Sequence, residues 1–98
     1  MTLQQLEYFL AAFEEGSFSA AAERLLLAQP SLSEQIRRLE AELGVALFTR
    51  VGRGITPTEA ARALRPHAEA ALAAVAEARE AVVEQRELQG GIATFGTF

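Results

Sequence analysis

The chain has 98 residues, half of them hydrophobic, no cysteine, and a formal net charge of −4. That makes one small domain with a modest core and excludes disulfides, thiolate metal sites and a disordered tail. No apolar run approaches the roughly 20 residues of a membrane span, and MTLQQLEYF lacks the basic stretch and apolar core of a signal peptide, so a cytoplasmic protein without membrane contact is expected.

Leu3, Leu6, Phe9, Leu10 and Phe13 fall at helical spacing, and Gly16 follows as a stop, which predicts a first helix. Ser17 or Ser19 can cap the second, with Phe18 between them directed to the core. Ala21, Ala22, Leu25 and Leu26 form its apolar side, to about Leu27. Gln29 and Pro30 then mark a tight turn, since proline is tolerated in a helix's first turn and not in its interior. The N-cap of the third helix is Gln29 if Pro30 is the first helical residue, or Ser31 if Ser31 and Glu34 form a capping box. Leu32, Ile36, Leu39 and Leu43 make one buried stripe, and Gly44 ends the helix.

Leu47 to Arg50 reads as a short strand, Val51 to Gly54 as a turn, and Gly54 to Thr56 as the returning strand. Two short strands alone are marginal, so the hairpin must lean on the helices. Thr58 is the expected cap of a long last helix, to about Gln89, with Glu59 near its positive end and Pro66 as a candidate kink. Ala61, Leu64, Ala68, Ala71, Val75, Ala78 and Val82 alternate by three and four, a coiled-coil seam. About 30 helical residues span roughly 45 Å, too long for this core to cover. The seam therefore predicts a homodimer, with a solvated spacer as the alternative. The tail IATFGTF (92–98) alternates apolar and small residues like a strand, with no partner strand in the chain, and reads as the first strand of a further domain.

Charge is unevenly placed. Residues 1–23 hold four glutamates and no base, residues 24–65 seven arginines against four glutamates, and residues 66–98 two arginines against five glutamates. The positive middle coincides with the helix-turn-helix and hairpin, which favours a nucleic-acid partner despite the acidic total.

Two helices across a tight turn, followed by a hairpin, make a winged helix-turn-helix. The expected fold is mainly α: three helices and a short wing over residues 1–57, a dimerisation helix over 58–89, and the start of a further domain over 90–98. An α-helix fits the major groove of B-DNA. On the third helix, Pro30, Ser31, Ser33, Glu34, Arg37 and Arg38 lie opposite the apolar stripe, with hydroxyls near an N-terminus that favours anions and arginines suited to phosphate or guanine. Arg50 and Arg53 sit on the hairpin, where Arg53 can reach a minor groove or a phosphate. Arg24 and Arg38 read as solvated or phosphate-facing, Arg62 and Arg65 as surface charges, and His67 as a helix-surface or dimer-contact residue. Phe9, Phe13, Phe18 and Phe48 read as core.

SFSAAAERL (17–25), QPSLSEQIRRLEAELG (29–44), LFTRVGR (47–53) and TPTEAA (56–61) together resemble the N-terminal DNA-binding region of LysR-type transcriptional regulators. The resemblance implies dimerisation through antiparallel linker helices, binding of promoter DNA at an interrupted inverted repeat, and dimers of dimers in the whole protein. It also implies RNA polymerase as a further partner and a small-molecule effector bound by a C-terminal domain beyond this chain, whose first strand Gly91–Phe98 would be; no cofactor is expected within the chain. The family's recognition positions fall on Gln29, Pro30, Ser31, Ser33, Glu34 and Arg37, with Arg53 in the wing. Glu34 departs from the arginine or glutamine usual there. It can pair with Arg38, close the box on Ser31, or accept from cytosine N4. Pro57 and Ala61 are smaller departures that bear on the starting angle of the last helix. The competing readings are a protein-interaction module and the similar DNA-binding domain of molybdate-responsive repressors. With no paired carboxylates in a cleft, no nucleophile beside a base and no metal set, an enzyme is not expected.

Overall fold

In the computed structural model, which describes residues 1–89, the elements run α1 (Leu3–Glu15), α2 (Phe18–Leu25), α3 (Gln29–Leu43), β1 (Phe48–Val51), β2 (Gly54–Pro57) and α4 (Glu59–Leu88). The strand expected over Gly91–Phe98 lies outside the described residues. Each helix start has a local cause. Thr2 and Gln5 form a reciprocal capping box on α1, and Ser17, rather than Ser19, accepts from the Ala20 N–H to cap α2. Thr58 caps α4 by accepting from the Ala61 N–H, and its own hydroxyl donates to the Ala46 carbonyl at 2.8 Å.

Helix α3 departs from both expected caps. Its N-cap is Ala28, with no side-chain cap bond, and Pro30 sits in the first turn. Proline has no N–H to satisfy, so a capping side chain has less to do here. Gln29 turns its side chain back instead and accepts from the Ser19 hydroxyl at 3.1 Å.

The turn between α2 and α3 corrects a second expectation. Leu26 does not extend the apolar side of α2. It is the C-cap, in the left-handed region at φ +59, with its side chain 91% exposed. The Leu27 N–H donates to the Ala22 carbonyl and the Leu26 N–H to the Glu23 carbonyl, the paired bonds of a Schellman end. Those bonds hold a leucine in a backbone conformation that costs an L-residue about 1–2 kcal/mol.

The hairpin pairs Phe48 with Pro57, Thr49 with Thr56, Arg50 with Ile55 and Val51 with Gly54. Its two-residue connection begins at Gly52, with φ +58, where a tight hairpin turn calls for glycine. It leans on the α1–α2 junction: the Ile55 N–H donates to the Gly16 carbonyl at 3.0 Å, and a Cβ at Gly54 would lie 2.7 Å from that oxygen. The close approach requires glycine.

The core gathers around α1. Phe9, Leu32, Ile36, Leu39 and Leu47 are its largest fully buried side chains. Leu43, expected in the buried stripe of α3, sits at the exposed end of it. Phe9 and Phe48 are buried, whereas Phe13 and Phe18 are half-buried and each lies under an arginine: Arg65 is 4.6 Å from the Phe13 ring centroid and Arg50 is 5.4 Å from that of Phe18.

Helix α4 corrects the expectation that its whole seam awaits a second chain. Ala61 and Ala68 are fully buried in their own subunit, and Leu64, Ala71 and Leu72 pack against the same core. Alanines there let α4 approach α1 closely. Val75 is half-buried, and Ala78 and Val82 are exposed. The helix continues through Pro66, whose nitrogen leaves the Arg62 carbonyl without its usual donor. No helix among the described residues is long and apolar enough to cross a membrane.

Candidate nucleic-acid interface

The exposed side of α3 and the hairpin form one surface. Pro30, Ser31, Arg37 and Arg38 are exposed, and Gln29, Ser33 and Glu34 are half-buried. Because the apolar stripe Leu32–Ile36–Leu39 is anchored in the core, the helical period leaves these residues on the outer face. Ser33, Arg37 and Arg50 meet in a groove of about 200 Å³ between α3 and the hairpin, with Phe18, Ile36, Glu40, Phe48 and Ile55 as its floor and walls. Arg53 is exposed at the hairpin turn, outside that groove.

Three contacts that motif reading missed hold this surface in place. Glu40 turns a carboxylate oxygen toward the start of β1 and accepts from the Leu47 N–H at 2.8 Å and the Phe48 N–H at 3.4 Å. Such charge-assisted bonds exceed neutral ones in strength, and they tie the far half of α3 to the wing. Buried Gln5 donates through Nε2 to Gln35 Oε1 at 3.1 Å, linking α1 to α3. Arg50 lies over Phe18, which meets Phe48 edge-on, so the guanidinium is held at the groove by an aromatic shelf. The sequence signal for the first two was an acid or amide on a helix otherwise read by its apolar face, and for the third an arginine on the hairpin beside aromatics read as core.

The charges divide into committed and uncommitted. Arg24 donates to Glu14 at 2.9 Å and to Glu15 at 3.3 Å. Those hydrogen bonds, Glu14 first, raise its pKa above the ordinary value, so Arg24 serves the α1–α2 corner instead of standing free for phosphate. Arg62 pairs with Glu59 and Arg65 with Glu69. Glu34 accepts from both Arg37 and Arg38. It thus makes the expected pair with Arg38, adds one with Arg37, and caps nothing, because α3 begins two residues before Ser31. Among the described residues, Arg50 and Arg53 join no ion pair. His67 lies exposed on α4.

Three helices, a two-stranded wing and a long closing helix define a winged helix-turn-helix protein. A family model described as bacterial regulatory helix-turn-helix protein, lysR family, matches residues 3–62, and the chain belongs to that family. It is 48% identical over 82 residues to an uncharacterized HTH-type transcriptional regulator in the ibpB-leuC intergenic region of Azotobacter vinelandii, a match covering 84% of this chain and 57% of that protein. Over 96 residues it is 40% identical to the nitrogen assimilation regulatory protein nac of Escherichia coli, covering 98% of this chain and 32% of that one. The chain therefore spans about a third to just over half the length of these relatives. Among solved structures, the CbnR_DBD–DNA complex aligns with a TM-score of 0.82 at 38% identity, covering 87% of this chain and 98% of that one. The BenM_DBD/benA site 1 DNA complex aligns at 0.80 with 38% identity, covering 86% and 98%.

Proposed function

We propose that the chain is the sequence-specific, double-stranded DNA-binding part of a LysR-type transcriptional regulator, acting in the cytoplasm as a homodimer on an interrupted inverted repeat in a promoter. The observation that carries this is the juxtaposition of Ser33, Arg37 and Arg50 in one open groove beside the exposed first turn of α3, on a fold that aligns over most of its length with a protein solved on DNA. Helix α3 enters the major groove by its N-terminal half. Gln29, Pro30, Ser31, Ser33, Glu34 and Arg37 face base edges and nearby phosphates, Arg38 and Arg50 face the backbone, and Arg53 reaches the adjacent minor groove or phosphate. The domain reading follows: a DNA-binding head to Pro57, a linker helix from Thr58, and a separate effector-binding domain.

The distal part of α4, with Val75, Ala78 and Val82, supplies the dimer contact, and whole proteins assemble further as tetramers that engage RNA polymerase. A small-molecule effector acts through a part of the protein outside this chain. The chain has no catalytic role, in keeping with relatives named as transcriptional regulators. The test is selection of bound duplexes from a random pool, followed by an anisotropy titration. A half-site repeated with two-fold symmetry is expected, with a log–log salt slope of about −0.9 per phosphate neutralised. Arg53→Ala is expected to weaken every duplex alike and to lower that slope by about 0.9. Failure to enrich any sequence, with no binding at low salt, would sink the proposal.

A further inference from the structure

The two cations of the candidate recognition helix are held by one carboxylate. Glu34 Oε1 accepts from Arg37 Nη1 at 2.6 Å, and Glu34 Oε2 accepts from Arg38 Nε at 3.2 Å. The three residues stand at i, i+3 and i+4, so the clamp lies within a single helical turn. All three side chains are about half or more exposed, so the clamp sits on the very face offered to DNA. On the wing the opposite holds: Arg50 and Arg53 join no ion pair among the described residues.

We propose that Glu34 is a specificity-determining counter-charge. It neutralises Arg37 and Arg38 against arbitrary duplex and gives them up only where a base edge offers Arg37 a better partner, which leaves Arg38 free for the neighbouring phosphate. The inference rests on the DNA-binding reading above. Non-specific affinity is set by the number of phosphates that arginines and lysines neutralise. An arginine already shared with a carboxylate neutralises less, and the carboxylate itself repels phosphate. Non-specific contact then falls to the wing. At a cognate site the balance reverses. An exposed ion pair is worth less than a factor of ~5 in an equilibrium constant, whereas a bidentate arginine on guanine O6 and N7 discriminates by ~5- to 150-fold. The clamp is therefore weak enough to open for the correct base and sufficient to weaken binding elsewhere. One residue thus raises the ratio of specific to non-specific binding by lowering its denominator, the quantity that matters among many competing sites.

The test measures anisotropy over a salt series with two labelled duplexes, one of random sequence and one selected from a pool. It compares the wild-type chain, E34Q, and both versions in an R37Q/R38Q background, with circular dichroism as the folding control. E34Q is expected to tighten the random duplex by about 5- to 20-fold and to steepen its salt slope by about 1 to 2, as up to two phosphate contacts are gained. The selected duplex should tighten by less, so the specificity ratio falls. In the R37Q/R38Q background the E34Q gain should shrink to about 2-fold or below. An unchanged random-duplex affinity and slope would overturn the inference. So would an equal gain without the arginines, which would reduce Glu34 to bare repulsion, or a loss confined to sites with one particular cytosine, which would make it a direct base reader. A wild-type chain that binds neither duplex at low salt would instead remove the DNA-binding reading itself.

Discussion

The two halves of α4 have the same kind of sequence and opposite surroundings. From Glu59 to Leu72 the three-four repeat is covered from within: Ala61 and Ala68 are fully buried, and Leu64, Ala71 and Leu72 pack on the core. Beyond half-buried Val75 the same repeat continues uncovered at Ala78 and Val82, the latter 69% exposed, and Val83 and Leu88 are open beside it. Length accounts for the difference. Helix α1, with 13 residues, is about 20 Å long and lies antiparallel to α4, Phe13 near Arg65 and Leu3 near Val75 and Arg79. It runs out after about half of a 30-residue partner. An apolar stripe shows that a face needs covering; it does not say whether the cover comes from the same chain.

Four measurements put this contrast to the test. The largest effect is expected from a charge placed at equivalent seam positions. Ala68→Glu should destabilise the domain by about 3–5 kcal/mol, as an uncompensated buried charge does, whereas Ala78→Glu, followed at a dilution where the chain is monomeric, should stay within about 0.5 kcal/mol. Urea unfolding followed by circular dichroism reads both, and equal effects would end the contrast. Next is Pro66→Ala in the covered half. Restoring the donor to the Arg62 carbonyl should raise stability by about 1–3 kcal/mol, visible as a higher melting temperature.

A smaller change is expected from Val82→Glu in the open half. It should leave the unfolding midpoint nearly unchanged and weaken self-association about tenfold or more in sedimentation equilibrium. Because a desolvated charge opposes an apolar interface, unaltered association would place the dimer contact elsewhere. The smallest is Arg65→Ala, which removes the cation over Phe13 and the pair with Glu69. A loss of about 0.5–1 kcal/mol is expected. Arg79→Ala, within the open half, is the control, and a loss there as large would mean that the cover extends further along α4.

Legibility followed the same line. Helix ends marked by glycine were readable, since Gly16 and Gly44 take positive φ as their places after apolar stripes suggest. The caps of α2 and α4 were readable from Ser17 and Thr58. The cap of α3 was not, because Ala28 carries no side-chain signal and Gln29 is drawn away by Ser19 across the turn. Leu26 misled for a related reason: hydrophobicity assigned it to a face, while the bonds closing the end of α2 put it in the left-handed region with its side chain outward. On the candidate interface, types and spacing were enough to gather Ser33 and Arg37 on one face. That Arg50 joins them across a groove, and that Glu40 holds the wing to α3, depend on contacts spanning separate elements.

The order of residues is enough to specify what repeats locally: four amphipathic helices, a glycine-turned hairpin, a basic middle, and a carboxylate one turn from two arginines. These follow from the helical period and from short-range sterics, which act within a few residues. Packing between distant elements settled which apolar faces are satisfied within the chain and which remain open, which arginines are already paired, and where glycine is compelled, as at Gly54 against the Gly16 carbonyl. Those outcomes turn on the finite length of α1 and on distances between elements far apart in the chain, quantities that no local pattern encodes.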